Sequence, residues 1–513
     1  MDFVERSRKY TLTDGSSGFS VSFAGMKFDD DTLNALAARF PAVMTEMQRI
    51  ENGEIKNPDE NRKVTHFSDR ITYTQTPVYK AVEEFAAELR VTGRFDAVVV
   101  NGIGGSALGP QLMQFAINGP YWNELSREKR RNGLKIYFLD NTDSAEFADL
   151  LEVMEPARTL HLTVSKSGGT QETRNNMIAM EKYYASIGLN FADFSAAVTM
   201  AGSELDNYAR KNNWLRIFEM AESVGGRTSE TAIVGHLPAA LTGVDFKRFL
   251  DGACAMDAMT RNPDYRQNPA LMLAAMWFIA GNGRGDRNMV IVPYSDRLVL
   301  LSRYLQQLVM ESLGKELDLD GKVVHQGLSV FGNKGGTDAH AFIQQLNDGR
   351  DDFFATFIEI QKDAAKLEIS SGIGMGDYLH GFFEGLSAAL LGKGRQIITI
   401  RMPQLTEFEL GQIIALYERA VAMYAELIHI NAFHQPGVQA YKLAAKDALA
   451  LREKVLAAIA GKSGFTGNAD AFAELAGKPE AVIAIGAILD RAAVNGEYVS
   501  RDFVNNEYIY SVK

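Results

Sequence analysis

A single cysteine, Cys254, occurs in 513 residues. No disulfide can form within the chain, and a thiolate metal site has no second sulfur to build on. Cys254 reads as a small buried hydrophobe. No run of about 18 apolar residues occurs, so no membrane span is expected. Positive charge is also short: 53 Lys and Arg stand against 64 Asp and Glu, a net charge of -11. That balance argues against a nucleic acid held by bulk charge. An anionic ligand has to be drawn in by a local field instead. The opening residues, MDFVERSRKYTLTDGSSG, carry no apolar core of signal-peptide type. The expected location is the cytoplasm.

What is present is ordinary globular composition, 46% hydrophobic and 23% charged, in a chain long enough to bury sizeable cores. Length alone suggests about three domains, or two large ones. Residues 1–90 mix loops with helical patterns, and Leu33, Leu36, Phe40, Val43 and Met47 form one amphipathic stripe. The character then changes. Short apolar runs (DAVVV, LKIYFLDN, TLHLTV, FSAAVTM, LRIFEM) alternate with helical patterns, and a second block repeats the rhythm with NMVIVPYS, DFFATFIEI and RQIITIRMP. Buried strands alternating with helices predict parallel sheets covered on both faces. The C-terminal part reads as helical.

Two loops at strand ends are rich in glycine and hydroxyls. TVSKSGGTQET, residues 163–173, offers Ser165, Ser167 and Thr170 as donors, Lys166 as a cation, and glycines that let backbone approach closely. A helix start behind it adds unpaired N–H groups, which suits a phosphate monoester. An ordinary turn with Thr170 as N-cap fits the same residues. NGIGGSALG, residues 101–109, meets the loose dinucleotide fingerprint, with Asp140 as a ribose-binding acid. The competing reading has Gly105 and Ser106 touch a sugar from the side of the first loop.

Four further residues stand in unusual settings. Glu311 falls on or beside the buried stripe of a helix predicted over 297–314, in its last turn, where the dipole disfavours negative charge. Those are surroundings suited to a general base, with Gln307 one turn earlier to orient it; a half-exposed Glu paired with Lys315 is the plain alternative. His340 follows a Gly-rich loop in the predicted first turn of a helix, and a ring there can pass protons. Arg227 follows two glycines, a setting that can deliver a guanidinium to a ligand. Lys442 lies near a helix start after a Pro-Gly entry.

Together these segments resemble one family, the phosphoglucose isomerases. GIGGSALGP (102–110), SKSGGTQET (165–173), GGRTSETAIVGHLPAA (225–240), QQLVMESLGK (306–315), GGTDAHAFIQQLNDG (335–349) and NAFHQPGVQAYK (431–442) come in that family's order. The resemblance implies an α/β fold: two SIS-type doubly wound parallel-sheet sandwiches with helical N- and C-terminal extensions. The implied divisions are a helical extension over 1–90, a first and larger sandwich over 91–240, a second over 241–430, and a helical segment over 431–513 that completes the active site.

The implied reaction is reversible isomerisation of glucose 6-phosphate to fructose 6-phosphate, by ring opening and proton transfer between C2 and C1 through an enediolate. Glu311 matches the family's base, His340 and Lys442 its ring-opening groups, and Arg227 the arginine that stabilises the intermediate. Ser165, Lys166, Ser167 and Thr170 would bind phosphate; Gly105, Ser106, Gln307 and Gln435 would contact sugar or phosphate. Neither metal nor organic cofactor is required. The family is usually homodimeric, with shared active sites that take the histidine from the neighbouring subunit. The sequence departs from the family at His434, where Asp is common, and at Gln439, where Glu is common. A sugar-phosphate-sensing protein without catalysis is the alternative reading, with a dinucleotide-dependent enzyme behind it.

Overall fold

Three strands that bury every residue, Ala97–Asn101, Thr159–Val164 and Ser195–Thr199, form the centre of the first sheet. Burial on both faces is what a parallel strand between two helical layers requires, and it explains runs with no polar alternation. The structure is a computed structural model; it describes residues 2–57 and 60–513, the side chains of 439–443 excepted. The chain forms two units, Met1–His434 and Gln435–Lys513.

In the first sheet the strands lie in the order Lys135–Leu139, Ala97–Asn101, Thr159–Val164, Ser195–Thr199, Arg216–Glu219, all parallel. By chain order this is 2-1-3-4-5. The winding therefore reverses between Ala97–Asn101 and Thr159–Val164, and the crevice beyond their carboxyl ends is the expected ligand position. The two loops that leave these strands are the two glycine-and-hydroxyl loops.

The second sheet has the parallel strands Val330–Gly332, Asn288–Tyr294, Phe353–Ile360 and Ile397–Met402, neighbours in that order. Two more strands extend it, Ser20–Gly25 antiparallel to Ile397–Met402 and Thr11–Thr13 antiparallel to Ser20–Gly25. The first 90 residues are thus not a purely helical extension. Phe19, Val21 and Phe23 alternate with polar residues and are buried against the sheet edge. Their strands also make the second sheet the larger one, six strands against five.

The C-terminal unit corrects the sequence reading in a similar way. Its helices Gly437–Ile459, Ala469–Leu475 and Val482–Val494 accompany a three-stranded antiparallel sheet of Thr466–Gly467, Glu507–Val512 and Val499–Val504. Val455, Phe472, Ile485, Leu489 and Tyr510 form its own core. Among the described residues no helix is long and apolar enough to cross a membrane.

Within the larger unit the helix Glu407–Leu427 is buried along almost its whole length and packs on Phe246–Thr260. Fully buried charge sits in this contact. Arg70 holds Asp257 through two hydrogen bonds of 2.6 and 2.5 Å and also pairs with Glu418. Arg419 Nε donates to Asp257 Oδ1 at 2.6 Å. Asp257 thereby accepts from both guanidinium groups, which hold its carboxyl below the usual carboxylate range against the cost of burial. Asp257→Ala would leave two buried cations short of a partner. It is expected to lose about 3–5 kcal/mol of stability, measured by urea unfolding.

Candidate active site

The predicted helix over 297–314 is interrupted. A 3-10 turn, Asp296–Leu298, precedes an α-helical turn, Leu301–Leu305, and the chain then widens into a π-helix over Gln306–Glu311. Such local widening recurs at functional sites, because it re-aims side chains that a regular helix would stack. Tyr304, Leu305 and Leu308 are buried on the core side. The Glu311 side chain keeps 21% exposure at the rim. Gln307 Nε2 donates to Glu311 Oε2 at 3.0 Å, and Arg227 Nη1 lies 3.6 Å from Glu311 Oε1.

Arg227 is held from several sides. Its Nε donates to Ser312 Oγ at 2.7 Å and its Nη2 to the carbonyl of Ala432 at 2.6 Å. The side chain is 6% exposed. Burial works against its charge and the Glu311 carboxylate works for it. The turn that carries it, Gly226–Thr231, presses on the 102–106 loop. A Cβ on Gly105 would come within 1.8 Å of the Gly226 carbonyl oxygen, so only glycine permits this approach. A Cβ on Gly104 would lie 3.0 Å from Gln307 Nε2, which brings the first glycine loop to the Glu311 helix.

The second loop closes the crevice. Asn101 Nδ2 donates to the carbonyl of Thr173 at 2.8 Å, tying the end of the strand Ala97–Asn101 to the first turn of the helix Gln171–Ser186. Ser165 is buried and donates to Thr170 Oγ1 at 3.2 Å, while the Gly168 N–H donates to Ser165 Oγ at 3.1 Å. Gly168 has φ +77, and a Cβ there would lie 2.2 Å from the Leu205 nitrogen. Thr170 stands at the N-cap of Gln171–Ser186 without a side-chain capping bond, and Ala107 at the N-cap of Leu108–Asn118 has none either. Two helix N-termini thus reach the crevice with backbone donors free of side-chain caps, which is an anion-binding arrangement. Ser167 Oγ accepts from the Gly169 N–H at 3.2 Å, and Ser106 ends the 3-10 turn Gly104–Ser106.

Lys166 is engaged differently from the sequence reading. Its Nζ donates to the carbonyls of Glu222 and Val224, at 2.5 and 3.0 Å, and so shapes the approach to the Arg227 turn. Burial, and next the charge of Arg62, push its ammonium down to about 8. His340 also differs. A short 3-10 turn, Thr337–His340, replaces the predicted helix start, and the α-helix begins only at Ile343. The buried Asp338 accepts from the Asn333 N–H at 3.2 Å. His340 itself is exposed, and among the described residues no hydrogen bond joins it to the Glu311 group. Gln435 belongs to the C-terminal unit, as does Lys442, whose side chain, with that of Gln439, lies outside the described residues.

Two participants went unassigned in the sequence. Ser312 receives Arg227, and Lys315 donates from Nζ to the backbone carbonyl of Glu311 at 2.8 Å, not to its carboxylate. Both lie in QQLVMESLGK, one of the segments that carry the family resemblance, and that was the available signal. Lys315 is 5% exposed. Burial, then the charge of Arg227, push it down to about 7.

A parallel sheet of this order, with an anion cradle at its switch point and a carboxylate beside a fixed guanidinium, defines a phosphosugar-handling α/β enzyme of SIS type. The family model described as phosphoglucose isomerase matches residues 22–399 and 391–457. The glucose-6-phosphate isomerase of Geobacter sulfurreducens is 44% identical over 96% of this chain and 95% of its own length. That of Nostoc punctiforme is 44% identical over 93% of this chain and 92% of its own. The crystal structure of a glucose-6-phosphate isomerase from Chlamydia trachomatis superposes with a TM-score of 0.77 at 28% identity, covering 87% of this chain and 91% of that one. The chain belongs to the phosphoglucose isomerase family.

Lys315 makes a prediction that needs no substrate. Its folded pKa, about 7, lies below the ordinary 10.5. Between those values the unfolded chain binds more protons, so the cost of burying the ammonium, full below about pH 7, fades as pH rises. The stability gained by Lys315→Met relative to the native chain is therefore expected to shrink steadily from pH 7 to 10, followed by urea unfolding across that range.

Proposed function

We propose that this chain interconverts glucose 6-phosphate and fructose 6-phosphate in the first sheet's switch-point crevice, with Glu311 carrying the proton between C2 and C1. The observation that supports this most is the Arg227–Glu311 pair, 3.6 Å apart, set across from two helix N-termini free of side-chain caps. A base and a fixed cation beside an anion cradle are what an aldose–ketose phosphate isomerisation requires.

Ser165, Ser167, Thr170 and the N–H groups of the following helix hold the phosphate, with Lys166 contributing charge at the loop. Fixing that remote end places the reacting carbons at Glu311. Gly105, Ser106 and Gln307 face the sugar, and Gln435 is assigned to it as well. His340 and Lys442 move the proton between the anomeric hydroxyl and the ring oxygen to open the ring. Glu311 then takes the proton from C2 and returns it to C1. Arg227 stands at the enediolate oxygens, where a group that cannot give up its own proton stabilises charge without quenching it. No step calls for a metal or an organic cofactor.

The working molecule in this reading is a cytoplasmic homodimer with shared sites. The support is local. Gly336, four residues before His340, lies against Leu379 of the helix Met375–Gly392. That helix and the hairpin before it expose Leu367, Ile369, Ile373, Met375, Tyr378 and Phe382. An apolar face of this kind on a soluble protein marks an association surface, and it carries His340 with it. The first sandwich over 91–240 and the second over 241–430 supply the two sides of each site.

Glu311→Gln is expected to retain hexose phosphate binding while kcat falls at least about 10²-fold, the scale of a lost general base. A coupled assay for fructose 6-phosphate measures it, and near-normal turnover would remove Glu311 from the chemistry. If histidine crosses between subunits, refolding Glu311→Gln together with His340→Ala should regenerate one intact site per mixed dimer and restore activity. No recovery would place both groups in one chain.

A further inference from the structure

The buried charge lattice holds one carboxyl more than its cations can satisfy. Arg70 and Arg419 bring two positive charges, Asp257 and Glu418 two negative, and all four side chains are 0% exposed. Glu51, at the edge, takes the far side of Arg419 at 2.6 Å and has its own cation in Arg261, at 2.7 Å. Glu230 is a further acid, 1% exposed. Its Oε1 accepts from the Tyr304 hydroxyl at 2.6 Å, and its other partner is the carboxyl of Glu418. Among the described residues no cation hydrogen-bonds to it. Two carboxylates have only acceptors to offer each other, so one of them carries a proton. Glu418 Oε2 accepts from Arg70, and its Oε1 has no other donor. A proton on Glu230 supplies that donor.

The position of Glu230 joins the two halves of the site. It belongs to the same turn as Arg227, Gly226–Thr231. Tyr304 belongs to the helical turn that runs directly into Gln306–Glu311. Gly109 makes the room: a Cβ there would come within 2.4 Å of the Glu230 Cβ. On the far side Glu418 lines, with Arg227, Thr228 and Ser312, a cavity of about 20 Å³. Burial first, and then the charge of Glu418, push the Glu230 carboxyl well above the usual carboxylate range, in agreement with the hydrogen-bond count.

We propose that Glu230 is a protonated carboxylic acid at neutral pH and a positioning residue, which accepts from Tyr304, donates to Glu418, and thereby locks the Arg227 turn to the helix that presents Gln307 and Glu311. This rests on the assignment of Arg227 and Glu311 to the chemistry. A slackened link moves the base and the cation apart, and misplacement of about 1 Å costs up to about 10²-fold in rate.

The full-length enzyme is compared with Glu230→Gln, Glu230→Leu and Tyr304→Phe by steady-state kinetics and infrared difference spectroscopy. Glutamine keeps one acceptor and one donor in place, so kcat is expected to stay within about twofold of the native value. Leucine leaves Tyr304 and Glu418 without partners, and kcat is expected to fall at least about tenfold with KM changed less than about threefold. Tyr304→Phe should shift kcat in the same direction and serves in place of the leucine variant should that fail to fold. The C=O stretching band of a carboxylic acid should be present in the native enzyme at neutral pH and lost in Glu230→Gln. The proposal is overturned if no such band is lost, if glutamine is as damaging as leucine, or if both leucine and phenylalanine variants turn over normally. Normal turnover by Glu311→Gln would instead overturn the reading of the site and leave the infrared result standing.

Discussion

The carboxylate of Asp257, buried between the guanidinium groups of Arg70 and Arg419, is the interaction on which the larger unit depends. Its partners come from residues 187 and 162 positions away in the chain. Each charge alone would be costly to remove from water. Together they are tolerated only in a geometry that pairs each charge with its opposite. That requirement fixes the N-terminal helix His66–Thr72 against Phe246–Thr260 and Glu407–Leu427. Hydrophobic packing around it, from Phe67, Phe249, Ile413 and Leu416, supplies driving force without direction. The ionic contact supplies direction.

The site inherits this rigidity. The Arg227 turn closes on the 102–106 loop only because Gly105 places no side chain against the Gly226 carbonyl, and Gly104 brings the same loop to Gln307 on the Glu311 helix. Neither member of the Arg227–Glu311 pair is held by the other alone. Gln307 shares the Glu311 carboxylate, Ser312 and Ala432 share Arg227, and Glu311 stays at the rim where solvent reaches it. The proton shuttle proposed for Glu311 uses that access, because a single carboxylate has to take a proton and return it.

Much of the first sheet was legible because its strands are short, fully apolar and separated by helical patterns, so periodicity and length agree. The two strands at Thr11–Thr13 and Ser20–Gly25 were not, although Phe19, Val21 and Phe23 alternate as a strand should. They are brief, and the strand they join lies some 375 residues later, which no local pattern encodes. The stripe Leu33 to Met47 was legible as buried, but its single helix breaks into Asp30–Ala37 and Phe40–Glu51, with Pro41 in the first turn of the second. The sheet in the C-terminal unit escaped because its residues flank helical stretches with stronger periodicity.

At the level of the site, sequence alone determined the chemical inventory: hydroxyls and glycines at strand ends, one carboxylate on an apolar helix face, an arginine after two glycines, and their order along the chain. These are local properties, written in residue type and spacing. Tertiary structure decided which of them stand together. It turned Lys166 onto the carbonyls of Glu222 and Val224, left His340 exposed on a short turn, widened the helix beneath Glu311, and enlisted Ser312, Lys315 and Glu230. The reason is physical. A side chain's partner is chosen by what the fold leaves nearest to it once water has been excluded, and that choice depends on residues hundreds of positions away.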